Sequence, residues 1–167
     1  MKAITLWQPW ATLMALGVKR IETRKWATKH RGPLAIHASS RPLDGVGAEV
    51  VRVMEQRGHL PVGFEFPMGA IIATLEVVAV EQIGPGAERD LLGTSVRSQF
   101  GPLLAECDPT FDAGAHDWQA EFLAGDFTAG RQGWVTRGVR ELVEPLRCRG
   151  DVQLWRPPFN VALALAK

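Results

Sequence analysis

The sequence predicts an α+β fold, a mostly antiparallel barrel flanked by two or three helices, and three observations carry that expectation. Short β-capable runs recur along the chain. Apolar or amphipathic helical runs stand between them. One long β-branched run, from Gly69 to Ile83, has the character of a central strand. A chain of 167 residues is within the usual size of one domain, so a single domain over 1–167 is expected, with an insertion at about 84–132.

The elements follow in order. Ala3 to Leu6 reads as a strand, and Pro9 to Leu16 as a short apolar helix that Pro9 can open and Gly17 can stop. Arg20 to Lys25 and Leu34 to Ala38 read as strands. Val46, Val50, Val53 and Met54 recur at helical spacing, giving an amphipathic helix that Gly58 closes. A Gly/Pro-punctuated loop, Pro61 to Pro67, leads into the long strand, where Thr74, Glu76 and Val78 share one face and Ala73, Leu75 and Val77 the other. Beyond Gly84 the chain turns rich in Gly, Pro, Asp and Arg, with helix-capable stretches at Leu91 to Phe100 and Trp118 to Leu123. Such an insertion suits a lid or specificity loop. Gly133 to Thr136, Val139 to Val143, Val152 to Leu154 and Val161 to Leu165 supply the last strands.

Composition narrows the classes. With 46% hydrophobic and 22% charged residues the chain reads as an ordinary globular protein. No apolar run approaches the roughly 20 residues that span a bilayer, and Met1-Lys2 leads straight into a strand, so a cytoplasmic protein is expected. A formal net charge of +1 gives no global argument for nucleic-acid binding. Any such role rests on a local run: Lys19, Arg20, Arg24, Lys25, Lys29, His30 and Arg31 stand within thirteen positions, with Glu22 as the only acid. Cys107 and Cys148 lack metal-motif spacing, and the four histidines form no paired arrangement. Neither a metal nor a cofactor is expected.

The chemistry-bearing residues gather between the first helix and the second strand. In Gly17-Val18-Lys19-Arg20-Ile21-Glu22-Thr23-Arg24, Lys19 leaves the helix end, and strand alternation puts Ile21 and Thr23 on one side and Glu22 and Arg24 on the other. With Ile21 in the core, Glu22 and Arg24 face a cleft or solvent, and Lys19 can lean toward Glu22. A Lys-Glu pair here is either a solvated surface pair of about 0–1 kcal/mol or the centre of a site. Trp7 and Gln8, in the turn before the helix, and Trp26, in the basic run, combine flat rings with an amide suited to reading a base edge. His37 ends a strand beside the same segments, and Glu76 interrupts an apolar strand and is a possible second base.

Ile4-Thr5-Leu6-Trp7-Gln8-Pro9-Trp10-Ala11, Gly17 to Arg24, Pro33 to Ser39, and later Phe127 to Val135 and Gly150 to Trp155 resemble the ASCH domain family, closest to its longer Gln-Pro-Trp-Ala members. The resemblance covers about residues 2 to 83 and 126 to 157 and implies a PUA-like fold. It also implies an activity: family members include amidohydrolases that remove acyl groups from the exocyclic nitrogen of cytidine with a lysine matching Lys19. Those members carry a threonine nucleophile where this chain has Glu22, and Thr23 points the other way. The expected reaction is therefore water attack, with Lys19 and Glu22 catalytic and with Trp7, Gln8, Thr23, Arg24, Trp26 and His37 binding substrate. The fold implies a second expectation, a non-catalytic RNA-binding module; a ribonuclease using Lys19 with Glu22 or His37 is a third. The expected partner is a modified nucleoside or RNA, with no membrane.

Overall fold

The computed structural model describes residues 1–89 and 91–166. Its elements are β1 (Lys2–Leu6), α1 (Trp10–Ala15), β2 (Ile21–Arg24), β3 (Gly32–Ala38), α2 (Gly45–Gln56), β4 (Ala70–Gln82), a 3-10 turn (Ala87–Arg89), α3 (Thr94–Cys107), α4 (Trp118–Leu123), β5 (Gln132–Arg147), β6 (Leu154–Trp155) and α5 (Phe159–Ala164). The fold is mixed α+β. Its strands run in the order β2-β5-β4-β3-β1-β6, with β1 parallel to β3 and antiparallel to β6, and β2 antiparallel to β5.

Residues fall into two compact units, each drawn from separated stretches. Unit 1 holds 1–16, 33–75 and 139–167; unit 2 holds 17–32 and 76–138. The core of unit 1 includes Ala3, Ala35, Ile71, Trp155 and Val161. That of unit 2 gathers Ile21, Val96, Phe100, Leu104, Trp118, Phe127 and Val135. Val96, Phe100 and Leu104 are spaced four apart and so share one face of α3. Complete burial of a ring such as Phe100 contributes about 1.5–3 kcal/mol.

In unit 1, α1 ends at Ala15 with Leu16 as its cap, and the following Gly17, with a φ of +72°, supplies the left-handed turn a side chain would resist. Asp44 caps α2 by accepting from the Gly47 amide at 2.8 Å. α2 buries Val50 and Met54 as its spacing requires, but Val46 lies 67% exposed. Gly47 takes the inward place, because a Cβ there would stand 3.1 Å from the Gln8 carbonyl oxygen.

The strand expected at Val152 to Leu154 is β6 at Leu154–Trp155 instead, because Val152 lies exposed in a bend and only Leu154 and Trp155 pair with β1, and other expected elements differ as well. The helix expected at Leu91 to Phe100 begins later, at Thr94, and runs to Cys107, because Gly93 turns left-handed before it and Leu91 and Leu92 face solvent. The two strands expected at 133–136 and 139–143 are one strand, β5, with Gly138 absorbing a φ of +60° between them. Val161 to Leu165 is helical rather than a strand: α5 starts after Pro158, and Val161 and Leu165, four apart, both pack on the unit 1 core.

Candidate functional site

Within unit 2, β2 places the charged cluster. Ile21 is fully buried, so alternation along the strand sends Glu22 and Arg24 to the opposite face from Ile21 and Thr23. Lys19 precedes the strand and is 1% exposed. Its ammonium donates to the Ile21 carbonyl and lies 3.2 Å from Glu22 Oε2. Arg24 Nε approaches the other carboxylate oxygen at 2.9 Å. One carboxylate is thus held between two cations. Lys19 offers three N–H donors, and these contacts engage two.

The surroundings of this cluster are aromatic. Trp134 on β5 pairs directly with Glu22 across the strands, hence on the same face. It is fully buried, and Trp26 meets it edge-on with ring centroids 4.7 Å apart. The solvent-reaching part of the cluster is Arg24, with 28% of its side chain exposed, and Glu22, with 11%.

The strand's backbone is fixed from the other side of the sequence. Glu121 on α4 is completely buried, and its carboxylate accepts from the Arg20 amide at 2.7 Å and the Ile21 amide at 3.1 Å. His116 Nε2 lies 3.1 Å from the same carboxylate. The Arg20 guanidinium pairs with Asp108 at 2.7 Å. A hydrogen bond from the Thr110 hydroxyl, with the Arg20 contact beside it, holds the Asp108 carboxyl below the usual range although burial opposes this. Sequence reading missed Glu121, Asp108 and Trp134. The available signal was an acid set among the apolar residues of Trp118 to Leu123, since buried carboxylates require partners.

The other expected site residues have definite places. Thr23 Oγ1 accepts from the Asp126 amide at 3.0 Å, on the face away from Glu22. Burial pushes the Asp126 carboxyl up, but the Thr128 hydroxyl and amide and the cationic Arg131 and Lys25 outweigh it, and its pKa lies below the ordinary value. Glu76 is half exposed and ion-paired with Arg137 at 2.9 Å, and Arg137 also donates to the Cys107 carbonyl. In the basic run Lys25, Lys29 and Arg31 are exposed, whereas Lys19, Arg20 and Arg24 are turned inward into the pairs described.

Trp7, Gln8 and His37 belong to unit 1. Gln8 is buried with both ends of its amide engaged, Nε2 donating to the Pro67 carbonyl at 2.8 Å and Oε1 accepting from the Thr12 amide at 3.1 Å. Trp7 is 46% exposed, with the Arg41 guanidinium 3.7 Å from its ring centre. His37 is 2% exposed and edge-on to Trp155. Its Nε2 lies 3.0 Å from the Cys148 carbonyl, which can only accept, so Nε2 carries the proton. Burial lowers the His37 pKa against the opposing effect of that hydrogen bond. Among the described residues no group of three His, Cys, Asp or Glu could hold a metal ion, and no helix is long and apolar enough to cross a membrane.

Comparison with known proteins gives a consistent family. The family model described as ASCH domain matches residues 4–119. Activating signal cointegrator 1 of Mus musculus is 32% identical over 111 residues, 65% of this chain and 17% of that protein. The Homo sapiens protein of the same name is 47% identical over 38 residues, 23% of this chain and 6% of that protein. The chain therefore spans under a fifth of the length of either relative. Among solved structures, ASCH from Zymomonas mobilis superposes with a TM-score of 0.50 at 13% identity, covering 99% of this chain and 92% of that one, a likeness of fold.

Proposed function

The chain belongs to the ASCH domain family and has its PUA-like α+β fold, and from that premise we propose that it is a hydrolase removing an acyl group from the exocyclic nitrogen of a modified cytosine or cytidine. The observation that carries this reading is the Lys19 ammonium, almost fully buried and 3.2 Å from Glu22 Oε2.

Glu22 takes a proton from water as the water oxygen attacks the acyl carbon. Lys19 donates to the oxyanion that forms, using the donor left over from Ile21 and Glu22. The carbon–nitrogen bond then breaks, and Glu22 returns its proton to the departing exocyclic nitrogen, giving a carboxylic acid and the free amino group. A positioned acid–base group contributes about 10²–10⁴ in rate and an oxyanion donor about 10²–10³, so two residues suffice for a modest amidase. Arg24 fixes the direction of the Glu22 carboxylate, and Trp26 gives the base a flat neighbour. Glu76 is a second candidate base only when its pairing with Arg137 opens.

Absorbance of N4-acetylcytidine incubated with the protein tests the reading. Turnover is expected for the parent chain, with loss of at least about 100-fold in Lys19→Ala and Glu22→Ala. No turnover by the folded parent chain would overturn it.

A second reading, a non-catalytic RNA-binding module, is favoured by one observation: Lys25, Lys29 and Arg31 stand exposed in the basic run of unit 2. Retention of labelled RNA that weakens steeply with salt, without turnover, is its signature.

A further inference from the structure

The second half of β5 is paired on one side only. In the sheet β5 lies between β2 and β4. β2 takes up Gln132 to Val135, and the Thr136 amide still donates to the Arg20 carbonyl at 3.0 Å. Past Gly138, where φ is +60°, no further strand lies on that side among the described residues.

Which backbone groups face outward follows from the strand's end. The Cys148 amide donates at 3.2 Å to the carbonyl of Gly69, which leads into β4. Counting back by strand alternation, the N–H and C=O groups of Leu146, Glu144, Leu142 and Arg140 point toward β4, and those of Pro145, Val143, Glu141 and Val139 point away. Pro145 has no N–H to give, and it falls in the outward set, as a proline within a strand must. Glu141, Val143, Pro145 and Arg147 are all exposed, Val143 completely, so solvent reaches this edge.

The side chains decide what the edge can accept. Arg140, Leu142, Glu144 and Leu146 share one face. Leu142 and Leu146 are half-buried against the unit 1 core, while Arg140 and Glu144 are exposed. Among the described residues neither the Arg140 nor the Glu144 side chain has an ion-pair or hydrogen-bond partner within the chain. Proline and charge commonly blunt a strand edge against pairing. Here Pro145 withholds one donor, and the charges are of both signs, so they repel or attract another copy according to the register.

We propose that the outer edge of β5, from Val139 to Pro145, binds a second copy of this chain, antiparallel about a two-fold axis at Leu142. In that register Arg140 stands opposite Glu144 of the other copy, and Glu144 opposite its Arg140, while the two Leu142 side chains meet on the axis. Glu141 and Val143 exchange both backbone hydrogen bonds across the axis, and the Val139 amide donates to the Pro145 carbonyl, which makes the missing proline donor the only gap. The two exposed Val143 side chains become diagonal neighbours on the opposite face. Other registers are worse. An axis at Glu141 or at Glu144 sets that glutamate against itself, and an axis at Val143 sets Arg140 opposite Leu146 and Leu142 opposite Glu144. The charge pattern thus selects one self-complementary pairing, and the proposal does not rest on the hydrolase reading.

Sedimentation velocity of the full chain from about 5 µM to 1 mM tests it. A mass rising toward that of two chains is expected, with amide exchange at Glu141 and Val143 slowing as concentration rises. Arg140→Glu and Glu144→Arg alter exposed side chains and are expected to keep the parent's circular dichroism and urea midpoint. Each alone sets like charges opposite one another and is expected to weaken the dimer at least 10-fold. An equimolar mixture of the two variants restores opposite charges at both pairs, and its association is expected within about 3-fold of the parent's. A single-chain mass at every concentration would overturn the proposal and leave the edge to some other protein's strand or to solvent. So would single variants that dimerise like the parent, or a mixture that associates no better than either variant alone.

Discussion

Glu121 Oε1 and Oε2 accept the two consecutive backbone amides of Ile21 and Arg20, at 3.1 and 2.7 Å, from a helix one hundred residues further along the chain. A buried carboxylate so used both anchors the strand that bears Glu22 and sets where Lys19 leaves it. Removing it orphans two backbone donors. Glu121→Ala is expected to cost about 2–4 kcal/mol, read from the denaturant midpoint, and to speed amide exchange at Ile21. Unchanged exchange there would refute the anchoring role.

The carboxylate of Glu22 lies between Lys19 Nζ at 3.2 Å and Arg24 Nε at 2.9 Å. Glu22→Gln leaves two cations with little compensation in a mostly buried place, and the expected loss is about 3–5 kcal/mol by urea denaturation. Restoring balance with Lys19→Met in the same chain is expected to recover part of that loss. A double variant no more stable than the single one would show that the two groups do not compensate each other.

Gly133 stands opposite Thr23, and a Cβ there would lie 2.6 Å from Phe100 Cζ and 3.0 Å from Ile21 Cγ2. Both neighbours are fully buried. Gly133→Ala is expected to destabilise by about 1–3 kcal/mol through overpacking, with a lowered midpoint and an unchanged denaturant slope.

His37 has a pKa below its ordinary value because burial disfavours the imidazolium. Below about pH 6.5 the unfolded chain therefore binds more protons than the folded one. Stability from this group is complete above that pH and falls as pH drops toward the folded pKa. Asp108 and Asp126, with lowered pKa values, contribute in the same direction but in a more acidic window, below about pH 4. The expected result is a loss of stability between pH 7 and 5.5 in the parent chain and a flatter profile in His37→Gln, both by urea titration.

Local periodicity made the first half of the chain legible. Ile21, Glu22, Thr23 and Arg24 take the alternating faces that a two-residue repeat dictates, and Ala73, Leu75 and Val77 are buried as the long strand requires. The C-terminal helix was not legible, because Val-Ala-Leu-Ala-Leu satisfies a strand's alternation as well as a helix's four-residue spacing, and only packing separates them. Glu121 and Asp108 escaped for another reason. Each works through partners far away in sequence, and no local pattern encodes such a partner.

Thr5 and Trp155, joined at 3.1 Å between Oγ1 and Nε1, are 150 residues apart, and β6 pairs with β1 through Ala3 and Ile4. During synthesis β1 can find β3 early, but its other edge has no partner until nearly all of the described chain has left the ribosome. Throughout that interval the nascent protein presents an open strand edge of mostly apolar residues, a template for pairing with a neighbouring chain. Yield of this protein should therefore depend on how fast and how crowded its synthesis is, more than on the stability of the finished molecule.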